Sequence, residues 1–266
     1  MLGKLMKYEW KATWKLLVPL NLFIVLMTIL AYCTVQMSFF DSNSNLVIMT
    51  GIIVMMTYLL SMFVVAVGSV IYLIYRFYTS VYGDEGYLLH TLPVDKHHII
   101  VAKALTSMAW VLMNAVLVYF SFFFLLSTQA QFMEAMTEGF EFYVDVVNGY
   151  NDKIGVFGIV MTFVASFFAL GARILKISAC ISLGQLASNH KILSAFGFYY
   201  AIYFVQKMFS ILYYLVLELG MRAANYSYSG YIFTTSWEFT LISSLVYCVI
   251  FYVLTWYVMD RKLNLD

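Results

Sequence analysis

Charge is what this sequence has least of: its 266 residues include 15 Lys and Arg and 14 Asp and Glu, together 11% of the chain. A soluble domain uses about 25% charged residues and roughly 45–50% apolar ones. At 63% apolar, with a mean hydropathy of +0.85, this chain has too little polar surface to cover a globule in water. A soluble fold is excluded, and lipid is the expected solvent. The near-zero formal charge of +1 gives no basis for a nucleic-acid partner. Cysteine is sparse as well. Cys33, Cys180 and Cys248 lie inside apolar stretches without disulfide or metal spacing, and they read as buried free thiols. The four histidines, His90, His97, His98 and His190, form no H-E-x-x-H pattern and read as solvated side chains rather than metal ligands. No serine, histidine and acid arrangement and no intramembrane carboxylate pair points to catalysis. The chain also lacks G-x-x-x-x-G-K-[ST], so it has no backbone cradle of the usual kind for ATP. No enzymatic activity is expected of it.

What is present is a series of long apolar runs. Backbone groups in hydrocarbon must be satisfied internally, so spanning segments are helices of about 20 residues or strands of closed barrels, and these runs are too long for strands. Six spans are expected, at about 16–39, 46–75, 102–126, 158–186, 193–219 and 239–258. The second and fourth exceed one bilayer thickness and are expected to tilt or project. No small-x-small cleavage site follows the first run, and Tyr32 stands directly before Cys33, so this run is expected to be retained as a span. With Pro19 and Pro93 as its only prolines and no evident tandem repeat or low-complexity tract, the chain reads as a single membrane domain, 1–266, without a soluble appendage.

Orientation follows from the basic residues. With the amino terminus inside, Lys4, Lys7, Lys11, Lys15, Arg76, Lys96, Lys103, Lys191, Arg261 and Lys262 are cytoplasmic, leaving Lys153 and Arg222 outside. Both termini are then cytoplasmic. The outer segments carry Asp41, Glu134, Glu138, Glu141, Asp145 and Asp152. Between Glu134 and Asp145 the acids recur at intervals of four, three and four, with Met133, Met136, Phe140 and Val144 on another side, which predicts an acidic amphipathic helix. Such a helix is either a solvated face or a collar attracting cationic peptides.

Two cytoplasmic segments carry more than topology. In MLGKLMKYEWKATWK the four lysines share one helical face with Leu2, Leu5, Met6 and Leu16 roughly opposite, which predicts an amphipathic interfacial helix over 1–15. Its basic face suits anionic lipid, while Glu9, off the lysine stripe, is a candidate partner contact. The segment RFYTSVYGDEGYLLHTLPVDKHHIIVAK, between the second and third spans, is the longest inner loop. Gly83 and Gly86 flank the acids Asp84 and Glu85; the apolar Tyr87, Leu88 and Leu89 follow, and Leu92 and Pro93 close the run. Proline stops a helix there, and Asp95 can cap the helix that continues into the third span. Exposed apolar side chains in such a loop mark an interface, or else they dip into the lipid surface.

The N-terminal K-L-M-K-Y-E-W-K, the loop G-D-E-G-Y-L-L-H-T-L-P-V-D-K followed by Lys103, and L-G-Q-L-A-S-N-H-K at Leu183 to Lys191 together resemble the permease subunit of bacterial ABC exporters of the ABC-2 type. The resemblance covers essentially the whole chain. It implies a homodimer or a heterodimer with a related permease in the bacterial cytoplasmic membrane, driven by separate ATPase subunits that hold ATP and Mg, with no cofactor in this chain. Met1 to Lys15 would be the interfacial connecting helix, and Gly83 to Lys96 would contain the cytoplasmic coupling helix seated in the ATPase. Peptides, lipids and drug-like molecules are all cargo of such exporters. The alternatives are an ATP-independent secondary transporter or channel, and a structural membrane anchor.

Charges inside spans are functional candidates by default. Counted from the inner loop at Asn189 to Lys191, Arg173 and Lys207 each lie about 24 Å up their helices at ~1.5 Å per residue, with Lys176 one turn below Arg173. They form either a cationic substrate path, suited to a carboxylate or phosphate, or a set of side chains snorkelling or paired with tyrosine hydroxyls and Glu218.

Overall fold

The computed structural model describes residues 2–37, 39, 44–83, 85–86, 95–128, 133–139, 141, 155–187, 190–223 and 228–261. They form six long helices: α1 (Leu2–Gln36), α2 (Asn45–Tyr82), α3 (Lys96–Leu126), α4 (Gly155–Gly184), α5 (Lys191–Ala223) and α6 (Tyr228–Arg261). Residues 133–139 add a short helical run, and no strand occurs among the described residues. All six long helices are long and apolar enough to cross a membrane, and the protein is all-helical and multi-pass.

The expected separate interfacial helix over 1–15 is not a distinct element. Leu2–Gln36 is one continuous helix of 35 residues with Pro19 inside it. At ~1.5 Å per residue it measures about 52 Å, well beyond the ~30 Å hydrocarbon core, so its lysine-bearing start projects past the apolar layer. The lysines at 4, 7, 11 and 15 are all exposed, whereas Thr13 and Leu17 are buried by packing that runs straight through the predicted boundary.

The chain forms two compact units, one of Met1–Gly86 with Leu105–Glu141 and the other of Tyr87–Ala104 with Phe142–Asp266. In the first, α1 and α3 run parallel: Asn21 Nδ2 donates to Asn114 Oδ1 at 2.9 Å, and the Thr28 and Ser121 hydroxyls share a hydrogen bond of 2.6 Å, both pairs being 93 residues apart. α2 is antiparallel to α1, for Leu17 clusters with Leu73 and Ala31 with Tyr58. Contacts recur on α1 at Trp10, Trp14, Leu17, Asn21, Ile24, Thr28 and Ala31, alternating steps of four and three. That spacing keeps one seam facing its neighbours. Trp110 anchors the seam, fully buried, donating Nε1–H to Thr13 Oγ1 at 2.7 Å and stacking on Trp10 at 4.6 Å between ring centroids.

α2 is α-helical over Asn45–Phe63 and Ser69–Tyr82, with a π turn at Val64–Gly68 between them. Its buried positions include Ser61, Val65, Ser69, Leu73, Phe77 and Val81, at intervals of four. In a regular α-helix each such interval overshoots a turn by about 40°, and the wider π turn takes up part of that drift.

In the second unit α4 packs along α6 as its main partner, and the two run parallel. Phe157 meets Trp237, and Cys248 Sγ lies 3.6 Å from the Phe168 carbonyl, the same offset in both pairs. Gly158, Ala165, Ala172 and Ala179 are buried on α4 at seven-residue intervals, and Ser244, Phe251 and Val258 repeat that interval on α6. Small residues let backbones approach closely where lipid supplies no hydrophobic drive between helices. α5 returns antiparallel to α4 through a tight turn. Between Lys191 and Gly220 no residue of α5 is buried.

One sequence reading needs correction here. Cys33 is exposed, not buried, because it falls between the seam positions Ala31 and Thr34 on the face of α1 turned away from α2 and α3; Cys180 is buried and Cys248 partly so.

Candidate functional site

The loop between α2 and α3 is described at its two ends; Asp84, Tyr87, Leu88, Leu89, Leu92 and Pro93 lie outside the described residues. At the first end Gly83 ends α2 in extended conformation, its N–H bonded to the Thr79 carbonyl at 3.2 Å. The chain then folds back, with the Gly86 N–H donating to the Gly83 carbonyl at 2.8 Å. A Cβ at Gly83 would meet the Thr79 carbonyl oxygen at 2.6 Å, and one at Gly86 would collide with the Val81 carbonyl. The two glycines are thus required by close backbone approach. Glu85 pairs with Arg76, one and a half turns before the end of α2, at 3.0 Å. Arg76 Nε is buried without a hydrogen-bond partner among the described residues.

At the second end Asp95 precedes α3, its carbonyl accepting the His98 N–H at 2.9 Å and its carboxylate 3.6 Å from His98 Nδ1. Lys96 donates to Asp260 of α6 at 3.0 Å. His97 Nδ1 lies 2.6 Å from the Tyr252 hydroxyl, and its ring stacks on Trp256 at 5.1 Å. His97 makes these contacts while staying exposed, in keeping with the expected solvated side chain. Tyr252, Trp256 and Asp260 recur every four residues, one face of α6, but no local signal in the sequence assigns that face to the start of α3. Lys103, one of the residues in the resemblance, is buried. Glu9 is half-buried on α1, its carbonyl accepting the Thr13 hydroxyl at 2.9 Å.

The turn L-G-Q-L-A-S-N-H-K joins α4 to α5. Ser194 Oγ donates to the Gly184 and Lys191 carbonyls at 3.0 Å and 2.8 Å. A Cβ at Gly184 would lie 2.7 Å from Ala195 Cβ. His190 takes the left-handed φ of 56°, the one positive φ of a non-glycine among the described residues.

Further along the α4–α5 pair, the intramembrane cations come together. Lys176 is buried, with its ammonium 3.1 Å from Gln206 Oε1 and 4.7 Å and 5.6 Å from the ring centroids of Tyr199 and Tyr203. Lys207 Nζ lies 5.6 Å from the same Tyr203 ring. Arg173 and Lys207 are exposed. Tyr199, Tyr203 and Gln206 were not singled out in the sequence, though their spacing of four and three, beside Lys207, marks one helix face. The acidic run after α3 is helical over 133–139 and exposed on every side, while Phe140, Val144 and Asp145 lie outside the described residues.

No protein-family model matches this chain, and no curated protein or solved structure matches it either.

Proposed function

We propose that this chain is the permease subunit of an ATP-driven bacterial exporter, working in the cytoplasmic membrane as a dimer with itself or a related permease. ATP and Mg bind a separate ATPase chain, and the Gly83 to Lys96 loop follows its closure. The observation that carries this reading is the polar anchoring at each end of that loop. Glu85 is tied to Arg76 on α2, and Lys96 and His97 are tied to Asp260, Tyr252 and Trp256 on α6. A segment that transmits a partner's movement needs its ends fixed to the spans it moves, and its partner must bind two states with different affinity. The apolar Tyr87, Leu88, Leu89 and Leu92 between the anchors give such a partner something to grip.

Mild extraction from the native host is expected to bring down an ATPase, and Tyr87→Asp or Leu89→Asp to release it. If no ATPase ever accompanies the chain and neither substitution changes anything, the reading fails.

One observation favours a secondary transporter instead: each unit has three spanning helices whose first and third run parallel, and an odd number of spans per unit is the pattern of inverted-topology repeats. That reading requires transport by the purified chain in vesicles with no ATPase present.

A further inference from the structure

Three cations occupy the middle of α4 and α5. Arg173 and Lys176 are the 14th and 17th of the 25 residues of the apolar stretch Val160–Gly184, and Lys207 is the 17th of the 30 in Lys191–Gly220. Spanning helices meet the hydrocarbon centre at such positions, and a charge there needs a counter-charge or water. The one acid in either helix is Glu218, eleven residues, about three turns, beyond Lys207.

Lys176 is accommodated within the unit by Gln206 and two tyrosine rings. A ring face attracts an ammonium group but leaves its charge in place. Lys207 approaches the Tyr203 ring that Lys176 already uses, and Arg173 and Lys207 both act electrostatically on Lys176. The result is a concentration of positive charge on a face that the second unit itself does not cover, with Tyr203 44% exposed. Lipid tails against this face would leave Arg173 and Lys207 unpaired. A second copy set there by two-fold symmetry would add the same cations. An anion resolves both problems. The surface beside Lys207 is apolar: Phe204 and Met208 of α5 are both more than half exposed.

We propose that the α4–α5 face binds the phosphate or carboxylate of an anionic amphiphile. Arg173 and Lys207 contact the anionic group, Lys176 supplies buried positive charge behind them, and the apolar face of α5 lies along the chain of the ligand. For its role in transport this rests on the exporter reading; the binding itself does not need the ATPase.

The test is titration of the purified chain, in an uncharged detergent, with lysophosphatidate, oleate and lysophosphatidylcholine, bound ligand being counted by native mass spectrometry. Lysophosphatidate and oleate are expected to bind at least about tenfold more tightly than the zwitterion of equal chain length, since a charged hydrogen bond is worth about that factor. Lys207→Gln and Arg173→Gln should each remove about tenfold, and together erase the preference. Lys207→Arg should retain it, which separates loss of charge from loss of fold. Two-chain phosphatidate binding at least as tightly as lysophosphatidate would identify a bilayer lipid as occupant, and the reverse order a single-chain cargo. Equal binding of anionic and zwitterionic amphiphiles, an unchanged preference in the double variant, or displacement of lysophosphatidate by an equal concentration of inorganic phosphate would overturn the proposal. An anion preference without ATPase co-purification sinks the exporter reading alone, and ATPase co-purification without an anion preference sinks this site alone.

Discussion

Trp110 and Thr13 show how one polar contact sets where two helices meet. The indole is fully buried, and its N–H has a partner in the Thr13 hydroxyl, which itself bonds back to the Glu9 and Trp10 carbonyls. Thr13→Val keeps the shape and orphans the donor, so a loss of about 1–2 kcal/mol in stability is expected, readable as a lowered thermal midpoint in detergent. The α4–α5 turn offers a sharper contrast. Gly184→Ala drives a methyl group into Ala195 and the Lys191 carbonyl and should cost about 1–3 kcal/mol by overpacking. His190→Gly relieves a left-handed φ of 56° and should leave the midpoint unchanged or raise it. Should Gly184→Ala prove as stable as the parent, the close approach in this turn is not what holds the hairpin.

At the scale of elements, α2 carries the one irregular turn among the six spans. A π turn leaves backbone groups less well bonded than the α-helix around it, so amides of Val64–Ser69 are expected to exchange with deuterium faster than those of either flanking segment. Deleting Val67, whose side chain is exposed, removes the extra residue of that turn, and the local excess of exchange should vanish while the six-helix fold persists. Uniform protection along α2 in the parent chain would contradict this. α4 depends on a different device, the seven-residue stripe of Gly158, Ala165, Ala172 and Ala179. Ala179→Leu should disrupt the α4–α6 pair with a loss of about 1–3 kcal/mol, whereas Val160→Leu on the exposed face should do nothing measurable.

For the whole molecule the decisive quantity is sidedness. In a chain whose native cysteines are replaced by serine, Glu134→Cys should react with an impermeant maleimide on intact cells, and His190→Cys should react only after the membrane is opened. The reversed pattern would put the Gly83 to Lys96 loop on the side without ATP and end the exporter reading. Within the second unit the start of α3 and the end of α6 lie at the same end, through Lys96–Asp260 and His97–Tyr252. That arrangement is what an inner rim with Lys96 and Arg261 on the same side requires.

The number and nature of the spans were legible in the sequence because hydrocarbon imposes a length of about 20 apolar residues and forbids unpaired backbone, constraints that act on each segment alone. Helix ends were less legible. The start of α1 reads as amphipathic on its own, yet it continues unbroken into the span because Thr13, Trp10 and Leu17 pack against Trp110, a residue about 100 positions away. The cations at 173, 176 and 207 could be paired by depth from helical rise, but the partners of Lys176 could not be named, since Tyr199, Tyr203 and Gln206 reach it only through the antiparallel register of α4 and α5. The Tyr252 and Trp256 partners of the exposed His97 could not be named for the same reason. Hydropathy and spacing are properties of single helices and decided that six described helices are long and apolar enough to cross a membrane. Which polar groups meet inside it depends on the offset between helices, and that offset is decided only when small residues, buried tryptophan and glycine turns allow particular faces to come into contact.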